Sequence, residues 1–207
     1  MEKTMTLLLH FNLKKLRIKF YFLCLFLVFI LTNCVKVGVK VEKASPSTLI
    51  MAQGQTNYRQ LAQFLKSRNE NITLDYALKL SQTYIQESRK EGVSHDVAFS
   101  QMLLETGNLK FGNQVHPSQN NFCGLGALDG GAKGAVFPDM QTGVRAHIQH
   151  LKAYASKENL IQPLVDPRFK YVKRGSAPTL SGLAGTWASD KEYAYKISGI
   201  LNLLYKN

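Results

Sequence analysis

Cysteine is scarce in this chain. The 207 residues hold three, Cys24, Cys34 and Cys123, and no two stand at the short spacing of a zinc-binding pair. No His-Glu-x-x-His segment occurs either. Acidic residues are also few: 14 Asp and Glu against 26 Lys and Arg, a formal net charge of +12. An excess of that size suits a polyanionic partner, whether nucleic acid, an anionic membrane or an anionic wall polymer, and does not choose among them. Long apolar runs are missing too. The longest, Phe20 to Leu31, is about a dozen residues where a membrane-spanning helix needs roughly 20. Internal repeats and low-complexity blocks are absent. What remains is a globular composition, 45% hydrophobic and 10% aromatic, enough for one ordinary core.

The amino terminus separates from the rest. Lys14, Lys15, Arg17 and Lys19 precede the apolar run, the order of charges and apolar core in an export signal. Residues 1–33 carry a net +4, which leaves +8 for the remainder. Leu31-Thr32-Asn33-Cys34 resembles the lipobox of bacterial lipoproteins, in which the cysteine is acylated and becomes the first mature residue. Asn33 departs from the small residue usual before that cysteine. The alternative is plain cleavage with Cys34 left free. On the first reading, residues 1–33 are a signal peptide, 34–56 a tether of mixed Lys, Val, Ser, Pro and Gly, and 57–207 the folded domain. Cys24 leaves with the signal, so Cys123 is the domain's lone thiol and no intrachain disulfide can form.

From about Thr56 onward helix signals dominate. Leu61, Phe64 and Leu65 mark a short amphipathic segment. Thr73 can cap a helix whose apolar stripe, including Ala77, Leu78, Tyr84 and Ile85, runs to Gly92. Ser94 can cap the next, with Gly107 as its stop. Between Phe122 and Phe137 five glycines and the Asp129-Gly130 turn signal predict a small β-hairpin insertion. Thr142 opens a further helix, and Asp190 can cap the last, with Tyr193, Ile197, Leu201 and Leu204 facing in. The pattern predicts an α+β domain, mostly α.

One carboxylate invites a chemical reading. Gln101 and Glu105 lie one turn apart on the same helix face. Glu105 also falls in the last turn, beside the partial negative charge of the helix C-terminus, which disfavours ionisation. Apolar neighbours such as Leu103 and Leu104 add desolvation if the side chain enters a cleft. A carboxyl so tuned can act as a general acid; the plain alternative is a solvated glutamate at a helix end. Asn120-Asn121 could hydrogen-bond sugar hydroxyl and acetamido groups, or simply form an Asn turn. Trp187, Tyr193 and Phe137 could stack on pyranose faces, although Tyr193 equally fits a core stripe.

Three segments in order, AFSQMLLETG, QNNFCGLGA and TWASDKEYAYKI, resemble the glucosaminidase domain of glycoside hydrolase family 73, which includes bacterial autolysins and flagellar peptidoglycan hydrolases. The likeness spans roughly residues 95–207. It implies a lysozyme-like fold and hydrolysis of the β-1,4 bond after N-acetylglucosamine in peptidoglycan, with no cofactor. It gives the acid role to Glu105 and sugar-binding or structural roles to Asn120, Asn121, Phe122 and Gly124. It gives a substrate-side aromatic role to Tyr193. Trp187 and Ser189 stand where the family usually shows Tyr and Thr in Tyr-Ala-Thr-Asp, which keeps an aromatic ring and a hydroxyl. Family members often carry a second glutamate in the β insertion, and this segment has none. Glycoside hydrolysis ordinarily employs two carboxylates. Asp129 or Asp139 could serve, although each also fits a turn or cap; otherwise the substrate acetamido group, or a water held by Asp129 or a tyrosine, completes the displacement.

Three rival readings follow from the same residues. Cys123 with His147 or His150 could form a cysteine amidase or peptidase acting on peptide stems. A metal enzyme would need ligands from His95, His116, His147 and His150, which read instead as solvated or capping residues. A wall-binding module without catalysis shares every feature except turnover. Export disfavours nucleic acid as the partner, so the expected location is the bacterial cell envelope, on the membrane through a lipid anchor, with peptidoglycan glycan strands as partner.

Overall fold

The computed structural model describes residues 47–112, 115–127 and 134–206. The expected signal peptide, Cys34 and the turn carrying Asp129 lie outside the described residues.

The domain is mostly helical. Helix α1 (Tyr58–Arg68) starts at Asn57, whose side chain accepts from the backbone N–H of Arg59 and Gln60, while Gln60 Oε1 accepts from Asn57 N–H in return. Helix α2 (Leu74–Glu91) is capped by Thr73 and ends at Gly92, whose φ of 75° is the left-handed stop that glycine adopts without penalty. Helix α3 (His95–Glu105), capped by Ser94, is buried on every face from His95 to Leu103. It is the central rod of the domain, packed by α2, by α4 (Met140–Ala155) and by α6 (Tyr193–Lys206). The short α5 (Leu180–Leu183) leans on α6. Leu65, Tyr84, Phe99, Met102, Ile148 and Leu201 belong to one continuous apolar core. Each such side chain contributes about 1.5–3 kcal/mol by leaving water.

Two expectations meet a different structure. The segment before α1, read as tether as far as residue 56, packs onto the domain from about Thr48. Ile50 is fully buried, its N–H donates to Pro178 O, and its carbonyl accepts from Ser94 N–H. Gln55 and Thr56 then donate to the Asp96 carboxylate. Nothing in the local pattern of residues 48–56 announced this anchoring, which depends on partners far along the chain.

The described flanks of the predicted β-hairpin form no strand. Ala135 N–H donates to Leu125 O, but the Asn121 side chain does most of the joining. Its Nδ2 donates to Leu125 O and Ala135 O, and its Oδ1 accepts from Leu125 N–H. A buried amide has replaced the ladder that alternating residues would supply. Helix α4 also begins two residues before Thr142. Asp139 is its cap, accepting from Thr142 N–H at the surface.

Candidate active site

Glu105 is the last residue of α3. The chain reverses directly after it through a run of left-handed residues: Gly107, Asn108, Leu109 and Phe111 all have positive φ. Thr106 makes this possible, donating its hydroxyl to Met102 O and accepting from Leu109 N–H. The turn fixes the helix end, so Glu105 is held by its backbone before its side chain makes any contact.

The side chain is half-buried and unevenly partnered. Trp187 Nε1–H donates to Glu105 Oε1 at 2.9 Å, and the Tyr193 hydroxyl donates to the same oxygen. Oε2 instead faces Gly124; a methyl group built on Gly124 would lie 3.8 Å from it. Gly124 has φ +70°, a conformation that glycine holds freely. Burial raises the Glu105 pKa above its ordinary value, and the donors from Tyr193 and Trp187 offset part of that rise. A carboxyl with two donors on one oxygen can keep its proton on the other and still be stabilised once that proton has gone.

Each partner is itself positioned. Tyr193, the first residue of α6, is nearly buried, and Gln101 Nε2 donates to its hydroxyl at 2.8 Å. Burial and the neighbouring Glu105 push the Tyr193 pKa far up, so its hydroxyl remains a donor. Trp187 sits in a cage of rings, with centroids 4.9 Å from His150, 5.6 Å from Tyr154 and 5.9 Å from His147. His150 is in turn fixed by Asp166, whose carboxylate accepts from Nδ1 at 2.7 Å.

Gln101, Glu105, Gly124, Trp187 and Tyr193 therefore come together. The other sequence candidates take framework positions. Asn121 is fully buried and spends its amide on the insertion backbone. Phe122 lies in the core, edge-on to Tyr84, and Phe137 packs in a small cluster with Cys123, Leu125 and Ala146. Neither ring is open to a sugar. Asn120 is partly exposed, donates to Phe137 O and lines a cavity of about 520 Å³ with Tyr76, Phe111 and Pro117.

The rivals fare differently. The Cys123 thiol is buried, and desolvation with the nearby charges of Glu105 and Asp166 pushes its pKa well up, the reverse of what a thiolate nucleophile requires. The expectation of solvated histidines is corrected at His95, His147 and His150. All three are buried and hydrogen-bonded, to Thr56 O, to Gln101 and Tyr84, and to Asp166. Sequence reasoning missed Tyr84, Tyr154 and Asp166 as parts of the site, and named His147 and His150 only as bases for Cys123 or as metal ligands. Only the shared face of His147 and His150 on one helix hinted at a common role.

Residues 81–206 match the model of the glucosaminidase family, described as mannosyl-glycoprotein endo-beta-N-acetylglucosaminidase. A Borreliella burgdorferi protein, described as uncharacterized, is 43% identical over 167 residues, 81% of this chain and 82% of its own length. Among solved structures, S. aureus autolysin E, in complex with the muropeptide NAM-L-Ala-D-iGlu, overlaps with a TM-score of 0.44 at 20% identity. That overlap covers 79% of this chain and 74% of the autolysin chain, and is too loose to add to the assignment. With the family match extending over more than half of its residues, the chain belongs to the glucosaminidase family of glycoside hydrolase family 73.

Proposed function

We propose that this protein is a peptidoglycan hydrolase, an endo-β-N-acetylglucosaminidase that cleaves the β-1,4 bond after N-acetylglucosamine with Glu105 as general acid. The observation that carries the reading is the asymmetry at Glu105: among the described residues, two donors on Oε1, none on Oε2, and a pKa raised by burial. Family membership and a mostly helical domain agree with it. So does the positive charge, which draws the domain to a wall bearing carboxylates.

In the first step the Oε2 proton passes to the leaving glycosidic oxygen as the C1–O bond breaks. The charge left on Glu105 spreads to Oε1, where the Trp187 and Tyr193 donors stabilise it. The Tyr193 hydroxyl is committed to Glu105, so it serves the acid and does not orient the attacking water. The substrate acetamido oxygen then closes on C1, and water opens the ring so formed with return of the proton to Glu105. Retained anomeric configuration is the expected product; clean inversion by NMR would exclude the acetamido route and favour a water held by Asp129.

Digestion of purified peptidoglycan, with mass spectrometry of the released reducing ends, tests the bond. N-acetylglucosamine at the reducing end is the expected result. N-acetylmuramic acid or an anhydro sugar would reassign the enzyme as a muramidase or a lytic transglycosylase, and released stem peptides would revive the amidase reading. The same proposal places the protein in the cell envelope, exported and tethered by a lipid on Cys34. Metabolic labelling with a fatty acid that is lost in Cys34→Ala is the outcome expected there.

A further inference from the structure

We propose that His147 is a positioning residue for the acid. As its neutral Nε2–H tautomer it orients Gln101, which aims the Tyr193 proton at Glu105 Oε1 and reserves Oε2 for the transferable proton. The inference rests on the reading of Glu105 as general acid.

Four hydrogen bonds run in series through the core. Tyr84 Oη meets His147 Nδ1 at 2.9 Å, His147 Nε2 meets Gln101 Oε1 at 2.9 Å, Gln101 Nε2 meets Tyr193 Oη at 2.8 Å, and Tyr193 Oη meets Glu105 Oε1. The side chains come from α2, α4, α3 and α6, so no single helix could build the series alone.

Donor capacity fixes its direction. The indole N–H of Trp187 can only donate, and it donates to Glu105 Oε1. The Tyr193 hydroxyl donates to the same oxygen. Tyr193 has then given its one proton, and Gln101 must present its NH2 to the phenol oxygen. The Gln101 carbonyl is left toward His147, which must donate from Nε2. His147 Nδ1 is consequently an acceptor and takes the Tyr84 proton. Every proton in the series points toward Glu105, an arrangement in which each bond polarises the next.

Imidazole suits this place because, while neutral, it donates from one nitrogen and accepts at the other. An imidazolium would donate from both and reverse the bond to Tyr84, turning the phenol oxygen into the acceptor. Full burial, with a smaller contribution from His150 on the same helix, lowers the His147 pKa to about 3, so the neutral ring persists at working pH. The groups facing the ring are Tyr84, Gln101, His150 and Trp187. Those facing Glu105 are Tyr193, Trp187 and the protonated Cys123 thiol. No described carboxylate enters the series between Tyr84 and Glu105.

The test is a carboxyl-carbon NMR titration of Glu105 in the full chain, alongside kinetics. His147→Leu frees Gln101 and weakens the Tyr193 donor, so the Glu105 midpoint moves upward. The value of kcat falls about tenfold while KM holds, the pattern of a supporting partner. In a Tyr193→Phe background the same substitution adds no further shift, and His147→Gln, which supplies a donor and an acceptor, restores the wild-type midpoint. An unchanged midpoint in folded His147→Leu, or an equal shift in the Tyr193→Phe background, would overturn the proposal. Should His147→Leu fail to fold, nitrogen-15 spectra of the wild-type ring decide between about pH 5 and about pH 8. A neutral Nε2–H tautomer throughout is required, and an Nδ1–H tautomer or an imidazolium refutes it. A wild-type chain without glycosidase activity would end the functional reading, while the titration would still decide the relay.

Discussion

At the scale of single residues, the proposed chemistry turns on how two oxygens of one carboxyl are treated. Burial holds the Glu105 pKa up and the two Oε1 donors restrain it, so removing a donor has a definite sign. Trp187→Phe deletes the indole N–H, the pKa rises further, and Glu105 stays protonated to higher pH. The alkaline limb of the kcat profile is expected to move upward in pH, while the maximal rate falls because the departing proton leaves a less stabilised carboxylate. A limb that stays put, or moves downward, would mean that Trp187 does not act on the acid. Gly124→Ala makes a complementary case. Its Cβ would approach Oε2 and its φ of +70° would be strained, at about 1–2 kcal/mol. Activity is expected to fall more than thermal stability alone explains, as measured by kcat beside a melting curve.

Much of this was legible in the sequence, and the limit has a physical cause. Gln101 and Glu105 share a helix face by spacing alone, and the Gly107 stop was visible. The link from Gln101 to His147 and Tyr84 was not, because it joins residues 46 and 63 positions apart through the folded core. Local pattern holds no record of such a pair.

Among the elements, the caps at Thr73 and Ser94 read true because their chemistry is local: both accept from the N–H three residues on. The hairpin predicted for the insertion is not reproduced among its described residues. Its glycines signalled turns, but the bonds that hold it come from the buried Asn121 amide and from contact with α4. Gly143, in the first turn of α4, shows how close that contact is: a Cβ there would lie 1.8 Å from Asn120 O. Gly143→Ala must displace either α4 or the Asn120 turn and is expected to cost about 2 kcal/mol or more by urea unfolding. The segment before α1 is held by Asp96 in the first turn of α3, which accepts from Gln55 N–H, Thr56 and the Tyr205 hydroxyl. Asp96→Ala leaves those donors unsatisfied, and a loss of about 3 kcal/mol with fraying of both ends, read by hydrogen exchange, is the expected result.

For the whole molecule, pH and salt act through different groups. The unfolded chain binds a proton at His147 near pH 6.5, but the folded chain resists it until about 3. Its contribution to stability is thus present above pH 6.5 and is lost progressively as pH falls toward 3. Denaturation against pH should show this slope, flattened in His147→Gln. The excess positive charge predicts attachment to the wall that weakens as ionic strength rises, because exposed charges are screened over about 8 Å at physiological salt. Sedimentation with purified peptidoglycan across a salt series reads it directly.

The central claim is that a proton on Glu105 cuts a sugar bond. Glu105→Gln preserves the shape and the acceptor for Trp187 and Tyr193 but carries no transferable proton. Assayed on purified peptidoglycan with melting temperature as a control, it is expected to lose roughly 10²- to 10⁴-fold in kcat while staying folded. A folded Glu105→Gln protein that digests the wall at the wild-type rate would contradict the account.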